Sequence, residues 1–246
     1  MNALEWQIAT VTNITPETPN VKSFTLRLPA WSRHRAGQHY DIRLTAADGY
    51  RAQRSYSIAS APERDGEIDL TVERVEGGEV STFLHEVVIK GDRVEVRGPI
   101  GGYFVWDAAT HGGPLLLVAG GSGVVPMMAM LRHRAAAGAA VPARLLYSSR
   151  SYEDVIYRDE LERLASRDGS LMVFHTLTRS RPTGWTGYAR RIDDQMLAEV
   201  SRPYGASALT FICGPTALVE SAAGSLQGLG LRTERIKTER FGPSGT

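Results

Sequence analysis

Two hydrophobic rhythms run through this chain, and they change over near residues 111–114. Before that point, apolar residues come in short alternating or β-branched runs at 6–11, 21–28, 39–44, 54–58, 68–75 and 93–97. A period of two places one face of each run toward a core, so these segments are expected to be strands. Turn pairs separate them: Ala36-Gly37, Asp48-Gly49, Asp65-Gly66, Gly77-Gly78 and Gly91-Asp92. One helical stretch, 81–88, interrupts the series. Closely spaced strands with a single helix predict a small antiparallel β-barrel.

Beyond His111-Gly112-Gly113-Pro114 the period switches back and forth. The run 115–119 is apolar throughout, as in a strand buried on both faces. A helix is expected at 126–137, with Pro126 tolerated in its first turn. Then come a strand at 144–147, a helix at 158–165, a strand at 171–176 and a helix at 193–200. A strand at 209–213, a helix at 216–226 and a closing strand at 232–237 complete the series. Such alternation predicts a parallel sheet with helices on both faces. The expected architecture is two-domain: an antiparallel β-barrel over 1–110, then an α/β parallel-sheet domain over 111–246.

Composition narrows the chemistry. Hydrophobic content of 42% and charged content of 22% fit a globular protein. A net charge of +1 gives no global pull toward nucleic acid or a membrane surface. No apolar run approaches the roughly 20 residues of a membrane span, and the start lacks a signal-peptide pattern. The one cysteine, Cys213, rules out an internal disulfide and leads to an expected cytoplasmic location. It also falls short of the four thiolates of a plant-type iron–sulfur cluster. The histidines show no close ligand spacing, so no metal is expected.

Gly121-Ser122-Gly123 follows the first buried strand and opens a helix. Glycines let a backbone approach a pyrophosphate, and the helix end supplies a positive dipole. A tight strand-to-helix turn alone would also use this pattern. Pro126 stands where a dinucleotide fingerprint has its third glycine, and the acidic residue that grips a ribose 2′-hydroxyl is missing. Instead Ser148-Ser149-Arg150 follows the second strand, Arg179 the third, and Arg190-Arg191 lies further on. Each alone suits a solvated surface. Together they suit a 2′-phosphate, favouring NADP with NAD still possible.

Arg54-Ser55-Tyr56-Ser57 joins a cation, an aromatic ring and hydroxyls on one short segment. In a strand Arg54 and Tyr56 share a face, opposite Ser55 and Ser57. The arginine fork suits phosphate, and the tyrosine ring suits a flat heterocycle. An ordinary amphipathic strand would look similar. Gly77-Gly78-Glu79-Val80-Ser81 then opens the single barrel helix, a second candidate anion site.

With Arg54 to Ser57, Gly78 to Ser81, Gly98-Pro99, Gly121 to Pro126 and Cys213-Gly214-Pro215 in this order, the chain resembles the ferredoxin–NADP reductase superfamily of flavoproteins. The resemblance covers essentially the whole chain and implies an FAD-binding barrel followed by a pyridine-nucleotide domain. It implies that Tyr56 stacks on the flavin and that Arg54 and Ser81 hold its pyrophosphate. Ser57, Val72, Arg74, Gly78 and Val80 complete the implied FAD site. Gly121, Ser122, Gly123, Gly214 and Pro215 would line the nicotinamide nucleotide, with Cys213 beside the reacting ring. Ser149, Arg150, Arg179 and Arg190 would hold the 2′-phosphate. Plant-type relatives end on a tyrosine, whereas here Phe241 would cover the flavin and Glu239 lie near it.

The implied reaction is hydride transfer from NADPH to FAD, then electron transfer to a separate acceptor. That acceptor is expected to be a ferredoxin, a flavodoxin or an oxygenase component, docked by some of Arg33, Arg35, Arg43, Arg51 and Arg64. Two rivals remain open: a free-standing flavin or quinone reductase, and a non-catalytic redox sensor that binds flavin and nucleotide.

Overall fold

The computed structural model describes residues 4–241. It divides into two compact units, the first running through Asp107 and including Met128–Ala136, the second made of Ala108–Met127 and the residues from Ala137 on.

The first unit contains β1 (Gln7–Thr18), β2 (Val21–Arg27), β3 (His39–Thr45), β4 (Arg51–Ser57), β5 (Glu67–Glu73), α1 (Glu79–Glu86) and β6 (Arg93–Ile100). The strands form one antiparallel sheet in the order β4-β3-β6-β1-β2-β5. A bridge between Ile58 and Leu70 joins the two ends, closing the sheet as the alternation predicted. In β5, Ile68, Leu70 and Val72 turn inward while Glu67, Asp69 and Thr71 alternate with them. Phe24, Leu26, Tyr40, Ile42 and Val96 meet them in the core, and Val80 and Leu84 of α1, one turn apart, seal it. At Gly98 a side chain is impossible without movement: a Cβ would lie 2.6 Å from the ring of buried Tyr40.

The second unit contains β7 (Leu115–Gly120), α2 (Val124–Ala136, whose later turns belong to the first unit), β8 (Ala143–Ser149), α3 (Arg158–Arg167), β9 (Leu171–Leu177), α4 (Asp194–Ser201), β10 (Leu209–Pro215), α5 (Thr216–Gly228) and β11 (Ile236–Phe241). Its sheet is parallel, in the order β11-β10-β7-β8-β9. Every residue of β7 is buried, as its unbroken apolar run requires. The chain moves outward from β7 through β8 and β9, then returns to place β10 on the other side. The gap between the loops after β7 and β10 is therefore a topological switch point. Among the described residues no helix is long and apolar enough to cross a membrane, and no group of potential ligands could hold a metal ion.

Many element boundaries differ from expectation by a few residues, and three of the differences have a clear physical reason. β4 starts at Arg51, three residues before the predicted start, because the exposed Arg54 follows Ala52 on the same face and breaks the alternation. β1 runs on to Thr18, where polar Thr15 and Thr18, and Pro16 with no N–H to donate, still pair with β2. The closing strand lies at Ile236–Phe241, not 232–237. Residues Thr233–Arg235 instead form a 3₁₀ turn, bracketed by an Arg232–Glu234 ion pair at 2.6 Å. A charged segment of this kind gives no apolar signal by which to place its strand.

Candidate functional site

The glycine loop sits where β7 ends. Gly121 has φ of +55°, the left-handed region that glycine enters freely. A Cβ on Gly123 would lie 2.1 Å from the carbonyl oxygen of Cys213, and one on Gly214 would lie 3.2 Å from the amide nitrogen of Gly120. The backbones of the two switch-point loops are therefore in direct contact. Gly120 also makes room for Leu218 of α5, whose Cδ1 would be 2.7 Å from a Cβ there. The loop leads straight into α2, so the positive end of its dipole faces the same place. A cradle of glycines at a helix start fits the pyrophosphate of a dinucleotide.

β10 and β11 extend the site. Their register pairs Cys213 with Glu239 and Pro215 with Phe241. Burial, and then the neighbouring Glu239 charge, pushes the Cys213 thiol well above its ordinary value, so it stays neutral. Burial raises the Glu239 carboxyl to about 7. Its Oε2 is buried and has no hydrogen-bond partner among the described residues. Such an orphaned oxygen suits a ligand that brings a donor. Phe241 is half-buried at the strand's end, and 242–246 lie outside the described residues.

Arg150 and Arg179 come together through their backbones. The amide of Arg179 donates to the Arg150 carbonyl at 2.8 Å, and that of Thr178 to the Ser149 carbonyl at 3.0 Å. The Ser149 hydroxyl is buried and without a partner among the described residues. Arg190 stands apart in its bonding. It is paired with Asp193, the residue that caps α4, also reaches Gln195, and lies over the Tyr188 ring at 5.6 Å. Its Nε and Nη2 are already engaged, so a phosphate approaching them would have to compete with Asp193. Sequence reasoning missed an aromatic shelf beside these loops, made of Tyr147, His175, Trp185 and Tyr152. Gly187 allows it, since a Cβ there would be 2.5 Å from the Trp185 ring. The signal was present in Gly184-Trp185-Thr186-Gly187, a tryptophan between two glycines. Burial lowers the His175 pKa, so the ring is neutral near pH 7.

In the first unit, β4 carries the Arg54 to Ser57 run. Arg54 is exposed, and its Nη1 donates to the Gln53 carbonyl. Tyr56 is half-buried against the barrel core, which pushes its hydroxyl up to about 12. Ser57 is half-buried at the strand's end. Gly78 precedes α1 in an extended conformation. The Ser81 hydroxyl is used within this loop, accepting from the Val75 amide at 3.2 Å and donating to the Gly78 carbonyl at 3.3 Å. Tyr50 donates to Glu79 in the first turn of α1. Val72 and Val80 point into the core, so any contact they make with a ligand is through their backbone. The Val72 carbonyl already accepts from His85, and Arg74 pairs with Glu86. A cation, a helix start and a half-buried ring fit the pyrophosphate and flat ring of FAD.

Of the arginines considered for docking, Arg33 pairs with Glu63, Arg43 with Glu95, and Arg64 with Asp69 and Glu67. Arginines already neutralised by a neighbour contribute little to long-range attraction.

Residues 8–105 match the family "Oxidoreductase FAD-binding domain", and 117–224 match "Oxidoreductase NAD-binding domain". The chain is 37% identical to Ferredoxin--NADP reductase B of Sorangium cellulosum (strain So ce56), over 84% of each chain. It is 33% identical to the glycine betaine monooxygenase reductase subunit of Pseudomonas aeruginosa (strain UCBPP-PA14), over 93% of this chain and 62% of that one. The chain thus spans less than two thirds of that relative's length. A crystal structure of the FAD/NAD-binding domain of a nitric oxide dioxygenase from Vibrio cholerae O1 biovar El Tor superposes with a TM-score of 0.85. It is 26% identical, with coverage of 96% of this chain and 99% of that domain.

Two tests follow from this geometry. Gly123→Ala forces the loop away from Cys213 and is expected to cost about 1–3 kcal/mol, as overpacking does, and to weaken nicotinamide-nucleotide binding. Wild-type urea unfolding and wild-type affinity would contradict the close contact. Glu239 has its folded value near 7 against an ordinary 4.5. A raised carboxyl favours the folded state while protonated, and that contribution is lost as pH rises from 4.5 through 7. The stability of wild type relative to Glu239→Gln should therefore fall across that window and level off above it. A pH-independent difference would rule out the buried carboxyl.

Proposed function

The chain belongs to the ferredoxin–NADP reductase family of FAD- and nicotinamide-nucleotide-binding oxidoreductases, and on that footing we propose that it is a flavoprotein reductase. It takes a hydride from NADPH, or less readily NADH, onto FAD and hands electrons to a separate acceptor. The observation that carries this reading is the switch point, where the glycine loop, Cys213-Gly214 and Glu239 converge. We assign FAD to residues 1–110 and the nicotinamide nucleotide to 111–246.

When bound, the two cofactors supply hydride and electron transfer themselves, and the protein supplies binding and orientation. Arg54 and the start of α1 would bind the FAD pyrophosphate, and the Tyr56 ring would orient the flavin. Gly121, Ser122 and Gly123 would bind the nucleotide's pyrophosphate, with Gly214 and Pro215 alongside. The neutral Cys213 side chain would press on the nicotinamide, Glu239 would hold a proton at Oε2, and Phe241 would exclude water. Arg150 and Arg179, with Ser149, would grip the 2′-phosphate. Arg190 would join them in competition with Asp193.

The names of the relatives support an oxygenase component or a ferredoxin as the acceptor, because those proteins are reductase subunits of monooxygenases and a ferredoxin reductase. A cytoplasmic location belongs to the same reading. The ion pairs of Arg33, Arg43 and Arg64 favour a second reading, a reductase acting directly on flavins or quinones. NADPH-driven cytochrome c reduction separates the two. Under the first reading it rises when a candidate ferredoxin is added. Under the second it stays flat while small quinones are reduced rapidly.

Replacing both Arg150 and Arg179 with alanine should weaken NADPH by roughly 100-fold or more, two charge-assisted contacts, and NADH by far less. Equal losses in KM for the two nucleotides would reject the phosphate assignment.

A further inference from the structure

On the face of β4 opposite Arg54 and Tyr56, one buried carboxylate gathers three donors. Asp41 is 4% exposed. Its Oδ1 accepts from the Ser55 hydroxyl at 2.6 Å, and its Oδ2 from Gln53 Nε2 at 3.0 Å and Arg97 Nη2 at 2.7 Å. The register places it directly opposite Ser55 on one side and Arg97 on the other. Arg97 is held in turn, since it and Arg43 lie over the Trp6 ring at 4.8 and 4.0 Å. Arg43 pairs with Glu95 through two contacts, at 2.9 and 3.1 Å.

The location makes this cluster more than packing. β4 stands at one end of the strand order and has a ladder partner, β3, on one edge only. Edge strands slip most easily, and a slip of one residue exchanges the two faces of a strand. Here that exchange would move Arg54 and Tyr56 to the opposite face of the strand. Between His39 and Asp41 the β3–β6 register also shifts, a bulge that re-aims neighbouring side chains. Asp41 therefore sits beside this shift, whose extra residue lies on β6, and it ties the middle residue of the Arg54–Tyr56 segment to that third strand.

We propose that Asp41 is a positioning residue for cofactor binding: through Ser55 it sets the strand that aims Arg54 and Tyr56 at FAD. This rests on the flavin assignment made above. Asp41 touches no cofactor itself. Its carboxylate holds Ser55, and the alternation of the strand carries that constraint to the residues on either side. A hydroxyl donating to a carboxylate is among the stronger side-chain bonds, so one bond can bias the strand measurably.

The test uses the full chain, with FAD titrated by fluorescence and the bound flavin read by visible circular dichroism. Ser55→Ala removes one hydroxyl and leaves Asp41 paired with Gln53 and Arg97, so the fold should persist by urea melt. It should raise the FAD dissociation constant about tenfold and alter the flavin dichroism, and Ser55→Thr should restore both. Asp41→Asn should act in the same direction and more strongly. Wild type that binds FAD, with Ser55→Ala matching it in affinity and dichroism, overturns the proposal alone. Wild type that takes up no FAD overturns the flavin assignment, and the proposal with it.

Discussion

Where Gly123 meets Cys213, two peptide backbones lie closer than any side chain would permit. That contact requires glycine at 123, and it lets the loop after β7 and the end of β10 share one small space. The strand order makes the arrangement possible, because the chain reverses direction across the sheet between these two strands. At the same strand ends, β11 brings Glu239 beside Cys213, and burial keeps the thiol neutral and raises the carboxyl to about 7. A neutral thiol and a carboxyl that titrates near pH 7 suit a site that must bind a ring without repelling it.

In the first unit the constraint is electrostatic. β4 presents Arg54 and Tyr56 on one face and keeps its opposite face fastened by a buried carboxylate. An unpaired buried charge is costly, so Asp41 is tolerable only while its three donors remain in place. Arg54 contrasts with the arginines around it. Arg33, Arg43 and Arg64 are each neutralised by a neighbouring acid, whereas among the described residues Arg54 donates to a carbonyl of its own strand and pairs with no acid. Its charge is thereby left for an anion.

Much of this was legible in the residues. The change of hydrophobic period located both architectures, because burial on one face and on two leaves different patterns. The glycine loop and the RSYS run were also legible, since few residue types satisfy those backbone and ligand demands. What escaped was held by polar contacts between distant segments. Ser55 looked like a spacer until Asp41, fourteen positions away, appeared against it. Arg190 looked equivalent to Arg150 and Arg179, although Asp193 holds it in a cap. The closing strand was misplaced because its charged residues carry little periodicity. The bonds that the Ser81 hydroxyl makes within its own loop, to Val75 and Gly78, were not legible either.

The most direct test is anaerobic rapid mixing of the FAD-loaded chain with NADPH and, separately, NADH, following the flavin absorbance. The account predicts bleaching by both, with NADPH saturating at the lower concentration. A chain that binds FAD and is bleached by neither nucleotide would contradict it.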